Sequence, residues 1–385
     1  MEQSVYDAQR VRGVLSSGKA LLFDGATGTY ARELPGFPEG AVELCCLSAP
    51  DRVLALHQAY LAAGCQAIKT NTFAAHVSLA VENGDQQRAV IHAACSLARQ
   101  AVTQRQAAVF ADIGPAPVQE DAARCYTDMA QAFLDEGITC FLMETMHSAQ
   151  GLYEAAATIR ARCPEAFIAV SFAADADGFT RAGEVVAGLI ARMDACEDVD
   201  AVGLNCICGA YHMRRLLEGM ARPKKRLIAM PNAGYPHVEN GRTYYDSDPA
   251  YFARQVAQCR DAGAAILGGC CGTTPEHIRR VAVQLALAAS GTPVRRSPWG
   301  TIAIIALASC VFSLIVCMLL RGKMKSVRMA RQANAYVSGE LNVTASRDQY
   351  THTTETRTKI EHESSSGGGS HTESGGGGSG RSGSF

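Results

Sequence analysis

Eight apolar, β-rich runs alternate with amphipathic helical patterns, and this alternation constrains the fold more than any other feature of the chain. Eight strand–helix repeats within about 270 residues are typical of an α/β (β/α)8 barrel, also called a TIM barrel. A doubly wound open sheet is the alternative, but the first predicted strand lacks the Gly-x-Gly-x-x-Gly turn of dinucleotide-binding folds. The predicted strands are Ala20–Asp24, Ala67–Asn71, Ala108–Ile113, Cys140–Glu144, Phe167–Phe172, Ala201–Asn205, Arg226–Pro231 and Ala264–Gly268.

Polar residues and cysteines follow the predicted strands at their carboxyl ends. In a barrel all of these ends open onto one face, and active sites of this architecture lie on that face. Residues that are far apart in the sequence are therefore expected to be neighbours in one pocket. The segments at the strand ends are Asp24–Thr29, Thr70–Phe73, Asp112–Pro115, Glu144–Thr145, Asn205–Cys206, Pro231–Gly234 and Cys270–Cys271.

Three cysteines are the strongest chemical signal in these segments. Cys206 follows an apolar strand, and Cys270 and Cys271 lie together between glycines in Gly-Gly-Cys-Cys-Gly-Thr. Three thiolates suit a Zn²⁺ ion whose fourth position is open to a substrate thiol, and a thiolate is a good nucleophile toward an activated methyl group. The alternatives are a closed four-ligand zinc site, which usually contains two Cys-x2-Cys pairs, three packed core cysteines, or a vicinal disulfide between Cys270 and Cys271.

Two carboxylates and a Gly-rich turn predict a site for an amino acid. Asp24 begins the turn, and Glu144 ends an apolar strand. Both carboxylates could pair with a substrate ammonium, or they could be structural groups that accept backbone hydrogen bonds. The backbone amides of Gly25, Ala26 and Thr27 could bind a substrate carboxylate, as anion-binding turns do. A metal for sulfur, carboxylates for an ammonium and amides for a carboxylate together match a thiol amino acid.

Further residues are predicted at the same mouth of the barrel. Asn71 and Phe73 follow the second strand and are candidates for substrate contact. Asn232 could supply an oxygen as a resting fourth zinc ligand, or it could be the turn residue of Pro-Asn-Ala-Gly. Tyr244 and Tyr245, in a polar loop after the seventh strand, are expected to help cover the site.

Composition separates a C-terminal region from the barrel. The formal net charge of −1 gives no indication of a nucleic-acid partner. Residues 302–320 carry no charge and precede five basic residues, which predicts a single transmembrane helix; a buried core helix is the alternative. The Gly/Ser-rich end cannot bury a core and is predicted to be disordered. The predicted organisation is a barrel at 1–292, a linker at 293–301, the membrane span at 302–320, and a basic juxtamembrane segment with a disordered tail at 321–385.

Cysteine content and charge pattern bear on localisation. The chain contains 15 cysteines, and its start lacks the basic and apolar regions of a secretory signal. Free or metal-bound thiols in a reducing compartment are therefore expected, rather than a disulfide framework. The basic residues after the span favour a cytoplasmic C-terminus, which would place the barrel outside. Because export of a barrel without a signal is the greater difficulty, we expect a single-pass membrane protein with a cytoplasmic barrel.

Seven segments, in the same order, resemble the homocysteine S-methyltransferase family over residues Leu21 to Ala289. The resemblance implies a (β/α)8 barrel that binds Zn²⁺ through the three cysteines, with the sulfur of homocysteine in the fourth position. It also implies that Asp24 and Glu144 hold the amino group of homocysteine, that the turn at 25–27 holds its carboxylate, and that Asn232 occupies the zinc before homocysteine binds. The segments are Asp24–Thr29, Thr70–Phe73, Ile113–Pro115, Glu144–Thr145, Gly203–Cys206, Pro231–Gly234 and Gly268–Thr273.

The function that this resemblance implies is methyl transfer to the sulfur of homocysteine, giving methionine. The Pro-Asn-Ala-Gly segment is most similar to the N-terminal homocysteine-binding module of cobalamin-dependent methionine synthases. No folate or cobalamin module is expected in this chain, so a methylcorrinoid would come on a separate protein; S-methylmethionine and betaine are alternative donors. A membrane-tethered binding or scaffold protein on a degenerate barrel, and a thiol oxidoreductase that uses Cys270 and Cys271, are the competing hypotheses.

Overall fold

The computed structural model describes residues 2–77, 79–103, 105–117, 121–239, 242–245, 248–289 and 298–323. The chain divides into two units, Met1–Arg296 and Ser297–Phe385. The first unit contains the predicted barrel, and the second contains the region of the predicted membrane span.

A parallel barrel of eight strands forms the first unit, within the part of the chain that the structure describes. Seven pairs join the strands side by side, and one of them joins the last barrel strand to the first through Leu21 and Ile266. An isolated bridge between Phe23 and Ala67 brings the first and second strands together, so the barrel is nearly closed. The barrel strands are β1 (Leu21–Leu22), β2 (Ala67–Lys69), β3 (Ala108–Ile113), β4 (Cys140–Met146), β5 (Phe167–Phe172), β6 (Ala201–Gly209), β7 (Arg226–Asn232) and β10 (Ala264–Leu267); β8 (Pro236–Glu239) and β9 (Arg242–Tyr245) form an antiparallel hairpin.

The predicted (β/α)8 architecture is confirmed, and the doubly wound alternative is excluded because the order of the strands in the sheet follows their order in the chain. Several helices have clear sequence signals at their ends. Pro50 begins one helix, Gly64 follows its last residue with a left-handed φ of 100°, and the side chain of Asn83 caps another. The helices are α1 (Glu2–Ser16), α2 (Gly28–Glu33), α3 (Cys45–Ser48), α4 (Pro50–Ala63), α5 (Gly84–Val102), α6 (Ala122–Asp135), α7 (Leu152–Arg162), α8 (Val186–Asp194), α9 (Ala210–Gly219), α10 (Pro249–Asp261) and α11 (Pro275–Ala289), with a short 3-10 turn at Val42–Leu44.

Helix α1 packs across the amino-terminal end of the barrel. Its side chains Ala8, Val11 and Leu15 are buried and belong to one apolar cluster with the inward-facing residues of the barrel, among them Phe23 and Phe110. The rings of Phe23 and Phe110 lie 4.6 Å apart between centroids. This end of the barrel is therefore filled by apolar side chains, and polar chemistry is concentrated at the opposite, carboxyl end.

Helix α12 (Pro298–Lys323) lies in the second unit and includes the residues of the predicted membrane span. Among the residues that the structure describes, no helix is both long enough and apolar enough to cross a membrane. The predicted span at 302–320 is therefore not supported. The predicted tail beyond Lys323 and the first part of the predicted linker, 293–297, lie outside the described residues.

Candidate active site

Three cysteines meet at the carboxyl ends of β6 and β10. The Sγ atoms of Cys206, Cys270 and Cys271 all lie within 4.8 Å of one another, and 3.7 Å separates Cys206 Sγ from Cys271 Sγ. Two sulfurs bound to one tetrahedral zinc ion lie about 3.8 Å apart, given the usual Zn–S distance. The spacing of the three thiols therefore fits a single zinc ion.

Local backbone strain positions one of these cysteines. Cys206 and Ile207 have φ values of 60° and 58°, and Thr145 has a φ of 63°. These are the non-glycine residues with positive φ in the part of the chain that the structure describes, and all three lie at the carboxyl ends of β4 and β6. The register of β6 against β7 also shifts between Asn205 and Gly209. Because left-handed conformations are costly for β-branched residues such as Ile207, their clustering here is typical of a functional site.

The glycines around the cysteine pair allow close packing that no side chain would permit. A Cβ atom on Gly269 would lie 2.4 Å from Thr273 Oγ1, and one on Gly272 would lie 2.2 Å from the ring of Tyr245. Tyr245, at the end of the β8–β9 hairpin, is half-buried and shares a hydrogen bond with Cys271. The structure forms a hairpin where the sequence predicted a loop, and this hairpin places Tyr245, but not the exposed Tyr244, against the cysteines.

The three thiols share hydrogen bonds that make their ionisation unequal. Hydrogen bonds from Cys206 and Cys270, together with one from Tyr245, lower the pKa of Cys271 to about 3. The pKa of Cys206 is raised well above its usual value, because this thiol donates hydrogen bonds to the other two and is buried. One thiolate therefore forms readily, and a nearby cation is needed to ionise all three.

Asn232 offers an oxygen atom beside the thiols. Its side chain is buried, and its Oδ1 atom has no hydrogen-bond partner. Backbone hydrogen bonds from Cys270 to Pro231 and from Ala233 to Cys271, of 2.8 and 2.9 Å, place Asn232 directly against the cysteine segment. Because buried polar atoms without a partner are rare, this oxygen fits a fourth metal ligand, although the role itself stays a prediction.

A buried group of charges lies at the ends of β1, β2 and β4. Lys69 Nζ is 3.3 Å from Glu144 Oε1 and 3.5 Å from Glu144 Oε2, and both side chains are almost inaccessible. Asp24 Oδ2 accepts a 3.0 Å hydrogen bond from the backbone amide of Lys69, whereas Asp24 Oδ1 is buried without a partner. Sequence reasoning missed Lys69, and the available signal was a lysine inside an apolar strand, where a charge requires a buried partner.

Asn205 connects this charged group to the cysteines. Its Nδ2 atom donates to Glu144 Oε2 at 3.2 Å and to Thr145 Oγ1 at 2.8 Å, and lies 3.8 Å from Cys270 Sγ. Its Oδ1 atom accepts hydrogen bonds from the Thr145 amide at 2.7 Å and from Ser171 Oγ at 2.8 Å. One buried amide thus fixes Glu144 and holds the strained Thr145. This role was also missed from the sequence.

Burial and mutual charge determine the ionisation of this group. Burial raises the pKa of Asp24 to about 7, against the opposing effect of the Lys69 charge. Burial also raises the pKa of Glu144, and raises that of Asp112 well above its usual range. Burial alone would lower the pKa of Lys69, but the carboxylates of Glu144, Asp24 and Asp112 raise it well above its usual value. Lys69 is therefore a permanent buried cation.

The turn at residues 25–27 is held rigidly. Ala26 donates its backbone amide to Thr273 Oγ1 at 3.0 Å, and Tyr60 donates its hydroxyl to the Ala26 carbonyl at 2.7 Å. Only glycine fits at position 25, because a Cβ atom there would lie 2.5 Å from Thr273 Oγ1. The amide of Ala26 is thus already used within the protein, while Thr27 Oγ1 is buried without a partner. Binding of a substrate carboxylate at this turn stays a prediction.

Asn71 and Phe73 are engaged with neighbouring loops. Asn71 Nδ2 donates to the carbonyl of Val42 at 2.7 Å and to Cys46 Sγ at 3.4 Å. The ring of Phe73 lies against Gly114, whose amide donates to the Phe73 carbonyl at 3.0 Å. Both residues therefore brace the loops that follow β2 and β3, and their contact with substrate stays a prediction.

Comparison with known proteins agrees with this geometry. A family model for homocysteine S-methyltransferase matches residues 21–285, which is most of the chain. The chain belongs to the homocysteine S-methyltransferase family. This membership favours the methyltransferase hypothesis over the scaffold and thiol-oxidoreductase hypotheses.

Two curated relatives of this family member are longer proteins. Methionine synthase from Mycobacterium leprae is 28% identical over 307 residues, covering 72% of this chain and 25% of the relative. Methionine synthase from Mycobacterium tuberculosis is 29% identical over 317 residues, covering 74% of this chain and 26% of the relative. The chain therefore spans about a quarter of the length of these relatives.

Among solved structures, the metallated form of the homocysteine methyltransferase MmuM from Escherichia coli is similar with a TM-score of 0.57 at 21% identity. The match covers 71% of this chain and 99% of that one. The oxidized form of the same protein gives the same TM-score. These likenesses support the fold of the family member.

Proposed function

We propose that this protein transfers a methyl group to the sulfur of homocysteine and so produces methionine, with a zinc ion held by Cys206, Cys270 and Cys271. The observation that carries this proposal is the group of three thiols within 4.8 Å of one another at the open end of the barrel. Membership of the homocysteine S-methyltransferase family supports the same reaction. The proposed acceptor is a thiol amino acid, because the unpartnered oxygens of Asp24 and Thr27, which follow β1 at the same end of the barrel, are available to its ammonium and carboxylate groups.

Zinc in this site would bind the substrate thiol, lower its pKa and keep it as a nucleophilic thiolate. The protein contributes a fixed geometry. Asn205 holds Glu144 and the strained Thr145 in place, and Tyr245 donates a hydrogen bond to Cys271. Asn232 would supply an oxygen ligand to a bound metal, and the Asp24 carboxylate would accept a hydrogen bond from the substrate ammonium.

The methyl donor is proposed by similarity to the methionine synthases. A methylcorrinoid carried by a separate protein is our first candidate, because the Pro-Asn-Ala-Gly segment resembles that of cobalamin-dependent methionine synthases and the curated relatives are methionine synthases. S-methylmethionine and betaine are the alternative donors.

A methyl-transfer assay on the full-length, zinc-loaded protein tests the proposal. Homocysteine is the acceptor, and methylcobalamin, S-methylmethionine, betaine and methyltetrahydrofolate are offered separately as donors. We expect about one zinc per chain and methionine from at least one donor. If homocysteine binds but none of the donors yields methionine, the proposed reaction is wrong.

The proposal also includes a reducing, cytoplasmic location for the barrel. All 15 cysteines are free thiols, and the three at the site bind a metal only while they are reduced. Cys125 and Cys196 are half-exposed on the barrel and serve as reporters. A membrane-impermeant thiol reagent should label them only after cells are broken, and labelling in intact cells would contradict this location.

A further inference from the structure

Residues Cys270–Thr273 form a tight turn, here called the cysteine turn, that carries two of the proposed metal ligands. The Thr273 amide donates to the Cys270 carbonyl at 3.1 Å, and the Thr273 hydroxyl donates to the same oxygen at 2.7 Å. Gly272, at the third position of the turn, has a φ of 76°, as in type II β-turns. Thr273 therefore closes the turn twice, once through its backbone and once through its side chain.

The same hydroxyl also holds the turn at residues 25–27, here called the β1 turn. Thr273 Oγ1 accepts the Ala26 amide at 3.0 Å, and the Thr273 side chain is completely buried. Because a hydroxyl has one donor and two acceptor sites, it makes both contacts at once. The hydroxyl of Tyr60 also lies between the two turns, 2.7 Å from the Ala26 carbonyl and 3.0 Å from the Thr273 carbonyl. The buried Thr273 side chain thus joins the cysteine turn to the β1 turn.

Close packing holds the two turns at one distance. The Gly272 amide donates to Thr29 Oγ1 at 2.9 Å, just beyond the β1 turn. A Cβ atom on Gly25 would lie 2.5 Å from Thr273 Oγ1, so the backbone of the β1 turn rests directly against this hydroxyl. Removing the hydroxyl would leave the buried Ala26 amide without an acceptor, which is unfavourable, so we expect the β1 turn to shift in its absence.

The two turns would contact opposite ends of the proposed acceptor. A metal on the cysteine turn would bind its sulfur, whereas the unpartnered oxygens Asp24 Oδ1 and Thr27 Oγ1 lie in or next to the β1 turn. Only two methylene groups separate the sulfur of homocysteine from its α-carbon. Both ends of so short a ligand can bind together only if the distance between the turns is held to within about 0.5 Å.

We propose that Thr273 is a positioning residue that sets the distance between the cysteine turn and the β1 turn, so that a thiol amino acid binds with both of its ends at once. The inference rests on the proposed function. Thr273 acts through Cys270 and Ala26 rather than through a contact of its own with the substrate. Its hydroxyl therefore strengthens the binding of thiols that carry a polar end, and it leaves the bond between metal and sulfur unchanged.

Three thiols test the inference without any methyl donor. L-homocysteine, 4-mercaptobutyrate, which lacks the amino group, and propanethiol, which lacks both the amino and the carboxylate group, are titrated calorimetrically into the full-length, zinc-loaded protein. Homocysteine should bind at least about tenfold more tightly than propanethiol, as charge-assisted hydrogen bonds to its polar end allow. The ratio of these two dissociation constants measures how well the two ends bind together.

Thr273→Val removes the hydroxyl with little change in size. It should lower this ratio about fivefold, which is the worth of one hydrogen bond, by weakening the binding of homocysteine and 4-mercaptobutyrate. The affinity for propanethiol and the zinc content should not change, because neither depends on the β1 turn. An unchanged ratio overturns the inference. Loss of zinc or of propanethiol binding also overturns it, since Thr273 would then support only the metal ligands.

Matched variants exclude a general loss of stability as the cause. Thr273→Ser keeps the hydroxyl and should keep the ratio. Thr274→Val removes a neighbouring hydroxyl, which lies 3.0 Å from His277 Nδ1, and should keep the ratio too. A lower ratio in Thr274→Val, or a ratio in Thr273→Ser as low as in Thr273→Val, contradicts the inference. Tyr60→Phe loosens the same contact from the other side and should lower the ratio in the same direction; it provides the measurement if Thr273→Val does not fold.

The metal-free protein gives an independent measurement. In hydrogen-exchange mass spectrometry, a peptide that contains Ala26 should exchange faster in Thr273→Val than in the unchanged protein, and no faster in Thr274→Val. Equal exchange in the two variants overturns the inference. If neither homocysteine nor propanethiol binds to the unchanged, zinc-loaded protein, or if homocysteine has no advantage there, the proposed function is wrong. An advantage that survives Thr273→Val overturns only the positioning role.

Discussion

The two halves of the barrel mouth satisfy their polar atoms in opposite ways. At the ends of β6, β7 and β10, three thiols lie within 4.8 Å of one another and the buried Asn232 Oδ1 has no hydrogen-bond partner, so these groups would suit a cation that the chain does not provide. At the ends of β1, β2 and β4, the carboxylate of Glu144 is neutralised internally by Lys69. The first, which we call the metal half, would depend on an external ion. In the second, the carboxylate half, nearly all polar atoms have partners and one oxygen of Asp24 does not. Asn205 joins them.

Removing a thiol should produce the largest effect, because it deletes a proposed ligand from the metal half. We expect Cys206→Ala to lose its zinc and to reduce methyl transfer by more than about a hundredfold. Metal analysis after dialysis and the methyl-transfer assay measure both effects. The matched control is Cys208→Ala, a buried cysteine two residues away that is outside the three-thiol group. Zinc loss in that control would contradict the three-ligand assignment.

Asn205→Ala tests the connection between the halves. The substitution removes the donor to Glu144 and the acceptor for Thr145, so buried polar groups lose their partners. We expect the free energy of unfolding to fall by about 2–4 kcal/mol in urea titrations, and the KM for homocysteine to rise. Ser171→Ala removes only one of these hydrogen bonds and should cost about 1 kcal/mol. Equal losses of stability in the two variants would show that Asn205 does not connect the two halves of the site.

Tyr245→Phe examines how far the hairpin supports the metal half. Loss of the hydrogen bond to Cys271 should weaken zinc affinity by roughly tenfold, as is usual for groups that support a metal ligand. Competition with a zinc-binding dye gives the affinity. Tyr244→Phe is the control, since this neighbouring ring is exposed and stacks on His237. If both variants bind zinc equally well, the Tyr245 contact has no role in the site.

The pH dependence of binding sharpens the description of the carboxylate half. Burial raises the pKa of Asp24 from 3.8 to about 7, so its ionised, ammonium-binding form accumulates as the pH rises. The preference for homocysteine over 4-mercaptobutyrate should therefore increase through pH 7 and level off above it, and it should be flat in Asp24→Asn. The thiol has the same chemistry in both ligands, so the ratio isolates the amino group.

The same shift has a consequence for stability. Asp24 holds its proton more tightly in the folded, ligand-free protein than in the unfolded chain. Its contribution to stability is present below pH 4 and is lost as the pH rises to about 7. Urea titrations at pH 5 and pH 8 should show that Asp24→Asn loses less stability over this interval than the unchanged protein. An identical loss in the two proteins would contradict the raised pKa.

The metal half could be predicted from sequence because its signals are local. An adjacent cysteine pair framed by glycines, and a cysteine at a strand end, indicate their chemistry without any knowledge of the fold. The eight barrel strands were predictable for a similar reason, since each is a short apolar run bounded by turn residues.

The carboxylate half could not be read in this way. Lys69 lies within a buried strand, and its role depends on Glu144, which is 75 positions away in the sequence. In the sequence, Asn205 is an ordinary polar residue at the end of a strand. Its role follows from five side-chain contacts that only the folded structure shows. The packing of helix α1 across the barrel could not be predicted for the same reason, because the helix contacts inward-facing residues of several strands. The membrane span predicted at 302–320 was inferred from an uncharged run followed by basic residues, and the described residues do not support it.

Helix α1 also limits how reactants can reach the site. In the part of the chain that the structure describes, Ala8, Val11, Leu15 and the aromatic residues beneath them fill the amino-terminal end of the barrel, so we expect reactants to enter at the carboxyl end. In the proposed reaction, the thiol, the methyl donor and the methylated product would share this one entrance. A bulky donor such as a corrinoid protein would block that entrance while docked. Homocysteine would then bind before the donor, and the product would leave only after the donor has withdrawn.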